Sequence, residues 1–195
     1  ICTGPSLGIG IDFDFGFTIH FDPPMSILQL YQEIGRAGRS PKSTPKACSY
    51  IMYSPKSKTK TDKTMHSNVI DRNIATTIYT VLQNGEATTD ELKKACCIEK
   101  NIRFNRTLNI LISSNCIKKK SGLYSLSLCA LEEVFKKDEE IVNRRINAFN
   151  NLVSCIISKK TCIMQQIRIT LGDPTPNISP CGKCSVCTQN ILSPN

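Results

Sequence analysis

Nowhere in its 195 residues does the chain hold an apolar run long enough to cross a bilayer. Its opening stretch, ICTGPSLGIGIDFDF, has neither the positive n-region nor the cleavage site of a secretory signal. A soluble, intracellular protein is expected, nuclear if the source is eukaryotic. Also missing are a GxxxxGK(S/T) phosphate loop and a DExH metal-binding strand, so the chain by itself is not expected to hydrolyse ATP. There is no internal repeat and no long low-complexity segment. Acidic residues are scarce, 16 against 25 basic ones, and the net charge of +9 is spread along the chain rather than held in one tail. Such a distribution points to a polyanionic partner such as nucleic acid.

Cysteine, by contrast, is abundant, with 11 residues. Seven are scattered singly or as the pair Cys96-Cys97, whereas Cys162, Cys181, Cys184 and Cys187 follow a ligand-like rhythm of x18, x2 and x2. In a reducing compartment this reads as metal binding rather than as disulfides. Four thiolates close a tetrahedral structural zinc site with no open position, and Gly182 eases the tight turn of CGKCSVC. An iron–sulfur cluster is the alternative, weakened because no further cysteine follows soon after Cys187. Cys155 reads as a buried apolar residue.

The fold class expected is α/β followed by mainly α. Residues 1–54 alternate GIGID, FGFTIHF, a helix starting near Ile27 and ACSYIMYS, the strand and helix order of a partial parallel-sheet domain. Ser26 and Gln29 form a capping-box signature ahead of that helix. Residues 55–66 read as a basic linker, the stretch 54–63 being polar, lysine-rich and free of apolar anchors. Within 67–130, helices are expected from Val69 to Asn84, from Thr88 through Cys97 behind a second capping box (Thr88, Glu91), and from Ile102 to Ser114. A hairpin turning at Ser121-Gly122 follows, and three helices before a hairpin is the winged-helix arrangement. Arg103 and Arg106 on the third helix and Lys118, Lys119 and Lys120 on the hairpin are phosphate-binding types, and Tyr124 a base-stacking type, on the elements by which winged helices meet a duplex. Residues 131–195 return to helix in two stretches that break near Ser158 to Thr161, then end in the cysteine-bearing loop.

The stretch YQEIGRAGR, residues 31–39, is the most pointed feature. Continued as a helix, it would bring Gln32, Arg36 and Arg39 within about 40° of one face, because offsets of four and seven return to the same side. Gly35 and Gly38 would cost that helix roughly 1 kcal/mol each relative to alanine, while leaving room for a ligand to approach the backbone. Forked guanidiniums suit phosphate oxygens, and an arginine beside a γ-phosphate stabilises the charge that spreads during hydrolysis.

These nine residues resemble motif VI of superfamily 2 helicases in the form used by RecQ-type DNA helicases. ICTGPSLGIGID resembles the same family's motif V, with Gly4 where a threonine is common, and TIHFDPP the strand and turn between the two. The CGKCSVC run, with the preceding RRINAFNNLVSCIISKKTCIMQQIRITLGD, resembles the family's helical pair and zinc-binding region. The resemblance implies that Arg36 and Arg39 act as arginine fingers, that Gln32 couples nucleotide to the moving domains, and that Gly35 leaves room for the nucleotide. It also implies that Gly8, Gly10 and Asp12 form a loop touching nucleotide and DNA. The activity implied is 3′ to 5′ unwinding of DNA with Mg²⁺-ATP in repair, recombination or replication. ATP, Mg²⁺ and duplex, forked or single-stranded DNA would be the partners, and a first motor domain outside these residues would supply the phosphate loop. The family usually places a winged helix after the zinc module; here it stands before. The alternative is a non-catalytic DNA-binding or adaptor protein that keeps motif VI as scaffold.

Overall fold

A computed structural model describes residues 15–39, 46–67, 69–98, 101–158, 160–173 and 180–189. In chain order the elements are β1 (Phe17–His20), α1 (Ile27–Ile34), β2 (Cys48–Ile51), α2 (Pro55–Ser67), α3 (Arg72–Gln83), β3 (Ala87–Thr88) and α4 (Thr89–Ala95). There follow α5 (Asn101–Ser113), β4 (Ile117–Lys120), β5 (Leu123–Leu126), α6 (Leu131–Ile157), α7 (Ile163–Thr170) and α8 (Ser185–Thr188). The chain is therefore mixed α/β, with one small parallel and one small antiparallel sheet. It divides into two compact units, residues 1–64 with 145–195, and Met65–Arg144. The sequence alone suggests breaks at 54, 66 and 130.

In the first unit β1 and β2 pair in parallel, Phe17 opposite Cys48 through His20 opposite Ile51, with α1 in the connection. The helix starts where expected because the Ser26 hydroxyl accepts the Gln29 N–H at 3.1 Å. The return arm differs from a strict capping box: Gln29 Oε1 accepts from Met25 N at 3.0 Å, one residue further back. Leu30 and Ile27 of α1 are buried with Leu152 and Cys155 of α6 and Ile167 of α7 in one core. Helices far apart in sequence thus share a single apolar cluster.

The basic stretch after β2 is a helix, not a linker. Pro55 sits in its first position, where a missing N–H costs nothing and the fixed φ suits the helix. Ser54 Oγ accepts the Ser57 N–H and Ser57 Oγ accepts the Ser54 N–H, both at 3.1 Å, a reciprocal cap built from two serines. Ser57, Thr61 and Met65, spaced by four, are the buried side. With a single apolar residue among those three, the helical period leaves almost no trace in the sequence.

The second unit holds α3, β3, α4, α5, β4 and β5 around a core of Ile74, Ile78, Leu82, Leu92, Phe104, Leu111, Ile117 and Val134. α3 begins later than expected, at Arg72, because Asp71 Oδ1 accepts the N–H groups of Asn73 and Ile74, both at 3.2 Å. It ends before Gly85, whose φ of +142° suits only glycine. The hairpin turns where expected: Ser121 and Gly122 both have positive φ, 51° and 85°, as a two-residue primed turn requires. β5 also pairs with β3, so the antiparallel sheet has three strands in the order β3-β5-β4. A two-residue strand has no periodicity to read.

Thr88 caps α4 through a complete box: its hydroxyl accepts the Glu91 N–H at 3.3 Å while the Glu91 carboxylate accepts the Thr88 N–H at 2.8 Å. Thr88→Ala is expected to lower stability by about 1 kcal/mol in urea unfolding. The backbone and hydroxyl donors of Thr88 lower the pKa of Glu91 below its ordinary value. The carboxylate's contribution is therefore present above the ordinary Glu range and fades as the pH falls through the lowered value.

Candidate functional site

Cys162, Cys181, Cys184 and Cys187 come together, their Sγ atoms all lying within 4.8 Å of one another. Cys162 is the N-cap residue of α7 and Cys184 that of α8, so two of the four thiols sit at helix starts, where N–H groups favour the thiolate. The positive φ of Gly182, 67°, turns the backbone between Cys181 and Cys184. The Sγ atoms lie 3.5 Å apart from Cys184 to Cys187 and 3.9 Å apart from Cys181 to Cys187 and from Cys184 to Cys162. A tetrahedral ion with Zn–S bonds of about 2.3 Å requires edges of about 3.8 Å, to which these three separations are close, so the four thiols suit one ion such as zinc. Among the described residues no histidine or carboxylate joins them, and four sulfurs leave no open coordination position.

The thiols differ among themselves. For Cys184, burial opposes the thiolate, but donors from the Cys187 and Ile163 backbone and the neighbouring thiols outweigh it and bring its pKa down to about 6. Cys162 is lowered by the same kind of balance, with the Cys181 backbone N–H donating to it at 3.4 Å. Cys187 is pushed up to about 12 by burial and by its neighbours' competing thiols. The thiolate is thus favoured more at Cys162 and Cys184 than at Cys187, and a divalent ion would displace protons from the thiols that keep them. Cys155, buried in the core below, is not among the four.

The arginine motif is arranged differently from the expected helix face. α1 stops at Ile34 with Gly35 as its C-cap, Ala37 forms a bridge with Phe15, and Gly38 has a φ of +72°. The glycines therefore do not weaken a helix; they end it. A Cβ on Gly35 would stand 3.2 Å from the Tyr31 carbonyl, a tight approach that glycine avoids. Because the chain turns after Ile34, offsets of four and seven no longer share a face. Gln32 is exposed, Arg36 is buried at 8 % exposure, and Arg39 is exposed with its Nε donating to Gly35 O at 3.4 Å. α1 is also fixed to the sheet: His20 Nδ1 lies 2.9 Å from Glu33 Oε2, and Ser49 Oγ lies 3.3 Å from His20 Nε2. Sequence reasoning missed this link, whose three residues are spread over two strands and a helix. Gly8, Gly10 and Asp12 lie outside the described residues.

In the second unit Arg103 is exposed and Arg106 half-buried on α5, and Lys118, Lys119 and Lys120 are exposed on β4, which packs against α5. The three lysines do not form one patch. Lys119 stands opposite Tyr124 in the ladder and places its Nζ 5.0 Å from the ring centroid. Lys118 and Lys120 fall on the other face, because side chains alternate along a strand. Tyr124 itself is 3 % exposed, beneath Lys119 and with its hydroxyl 3.5 Å from Thr89 Oγ1, so it is not available to stack on a base. No described helix is long and apolar enough to cross a membrane. Compared with known proteins, the chain matches no family model, no curated protein and no solved structure.

Proposed function

We propose that the chain is the later part of an ATP-dependent DNA helicase of RecQ type: the end of a second RecA-like domain, a winged-helix module and a zinc-binding module. The observation that carries this reading is that α1, which carries YQEI and runs into the turn with Gly35 and Arg36, and α7, capped by the first cysteine of the cluster, pack in one core although more than a hundred residues separate them. The two stretches that resemble the helicase family are thus parts of one unit rather than independent fragments. Parallel β1 and β2 around α1 agree with the end of a RecA-like sheet. The order α3, β3, α4, α5, β4, β5 agrees with a winged helix, whose third helix and hairpin carry Arg103, Lys118 and Lys120. ATP and Mg²⁺ would be bound mainly by a first motor domain, with Arg39 completing the site around the γ-phosphate. The zinc would hold α7 and α8 together and take no part in the chemistry.

A second reading is favoured by one specific observation, the burial of Arg36. An arginine that packs inside the turn after α1 suits a scaffold, and the chain would then be a DNA-binding adaptor without motor activity. Forked DNA with a labelled strand separates the two. The protein including its upstream motor sequence is expected to release that strand only with ATP and Mg²⁺. Binding without release would leave the adaptor.

A further inference from the structure

The helix that replaced the expected linker carries an unusual surface. On α2 the exposed residues Lys56, Lys60 and Lys63 follow each other at offsets of four and seven, so they form one stripe opposite buried Ser57, Thr61 and Met65. Lys58 flanks the stripe, half-buried. The acids nearby are few. Asp22 lies 3.0 Å from Lys60 Nζ in an exposed pair, and Asp62, the one acid of the helix, is half-buried and engaged. The first turn contains no acid, so Lys56 and Lys58 stand against the positive end of the helix dipole. Serine and threonine fill much of the remainder, giving a weak helix former whose charges make it weaker. A face meant only for solvent would alternate signs and gain i,i+4 pairs; this one concentrates one sign at a cost in local stability.

We infer that α2 is a nucleic-acid contact in its own right, binding the phosphate backbone through Lys56, Lys60 and Lys63, in addition to α5 and β4 of the other unit. The inference rests on the DNA-acting reading above. Phosphate is favoured over an anionic membrane because the exposed side of α2 offers lysine, threonine, His66 and the leading Pro55, with no large apolar residue to enter a bilayer. Contacts of this kind are independent of base sequence and release condensed counterions, so each adds about 0.9 to the salt slope of binding. The neutralised lysines would also no longer repel each other, so α2 should become more protected when DNA is bound.

The test uses the full chain and a labelled duplex, with anisotropy read at several salt concentrations. The triple variant Lys56→Ala, Lys60→Ala, Lys63→Ala keeps the Ser54 and Ser57 cap and introduces a better helix former at each site, so lost binding cannot be ascribed to a lost helix. The expected result is a slope reduced by about two to three and an affinity at least tenfold lower near 0.1 M salt. The matching triple arginine variant should bind as the wild type does. Lys118→Ala with Lys120→Ala should reduce the slope independently, and the two sets should add. A triple alanine variant that binds duplex with unchanged slope overturns the inference, as does a loss confined to phosphatidylserine vesicles. ATP hydrolysis by the protein including its upstream motor sequence reports on the motor reading separately, so an unchanged slope here with intact DNA-stimulated turnover there removes α2 and leaves the motor.

Discussion

Emission analysis of the purified chain is expected to find about one zinc per molecule, and Cys184→Ser is expected to abolish it. Structural zinc sites in small modules contribute on the order of 10 kcal/mol of apparent binding free energy, more than any single packing or capping interaction in the chain. The consequence should reach beyond the loop. Cys162 starts α7, and Ile167 one turn later is buried against the core that holds Leu30 of α1. Losing the metal should therefore increase amide exchange in α8 and α7 first and then in α1, while the core of Met65–Arg144 keeps its protection. Cys155→Ala supplies the contrast: it removes a thiol from the core, not from the cluster, and should cost stability while leaving metal content near one. Because binding displaces protons from thiols such as Cys187, affinity should fall as the pH is lowered. A metal-free preparation, or a brown one containing iron, would remove zinc from the description.

The cysteine cluster was legible in the sequence because its information is local. Three ligands lie within seven residues, and a thiolate quartet has few other uses in a reducing setting. Caps were legible for the same reason: Ser26, Thr88 and the Ser121-Gly122 turn each act within a few positions. What could not be read was whatever depends on how a segment meets the rest of the chain. YQEIGRAGR has helical spacing throughout, yet its second half turns away because Ala37 bridges to Phe15 and Gly38 takes a left-handed φ. The basic stretch after β2 has almost no apolar period, yet two serines and a proline start a helix whose inner side is mostly hydroxyl. The lysine run names three phosphate-binding side chains, which divide across two faces once the register with Tyr124 is known. In each case local chemistry named the residues, and tertiary pairing decided which way they point.

That division between Arg36 and Arg39 sets up the kinetic result expected to be largest. If the motor reading holds, the 195-residue chain shows no ATP hydrolysis, whereas the protein including its upstream motor sequence shows hydrolysis stimulated by single-stranded DNA. In that protein Arg39→Ala should lower turnover by about 10³-fold, the lower end for an arginine finger, with far less effect on KM. Arg39 is the exposed member of the pair, its Nε donating to Gly35 O near the end of α1. Lysine in its place should rescue poorly, since a point charge does not reproduce the planar fork. Arg36 is buried, so Arg36→Ala should show its effect in thermal unfolding as well as in turnover, whereas Arg39→Ala should leave the melting temperature close to that of the wild type. Steady-state hydrolysis with and without DNA, measured beside unfolding for both variants, distinguishes the roles. Turnover within a factor of two for Arg39→Ala would mean that the turn after α1 serves packing alone, and the adaptor reading would replace the motor.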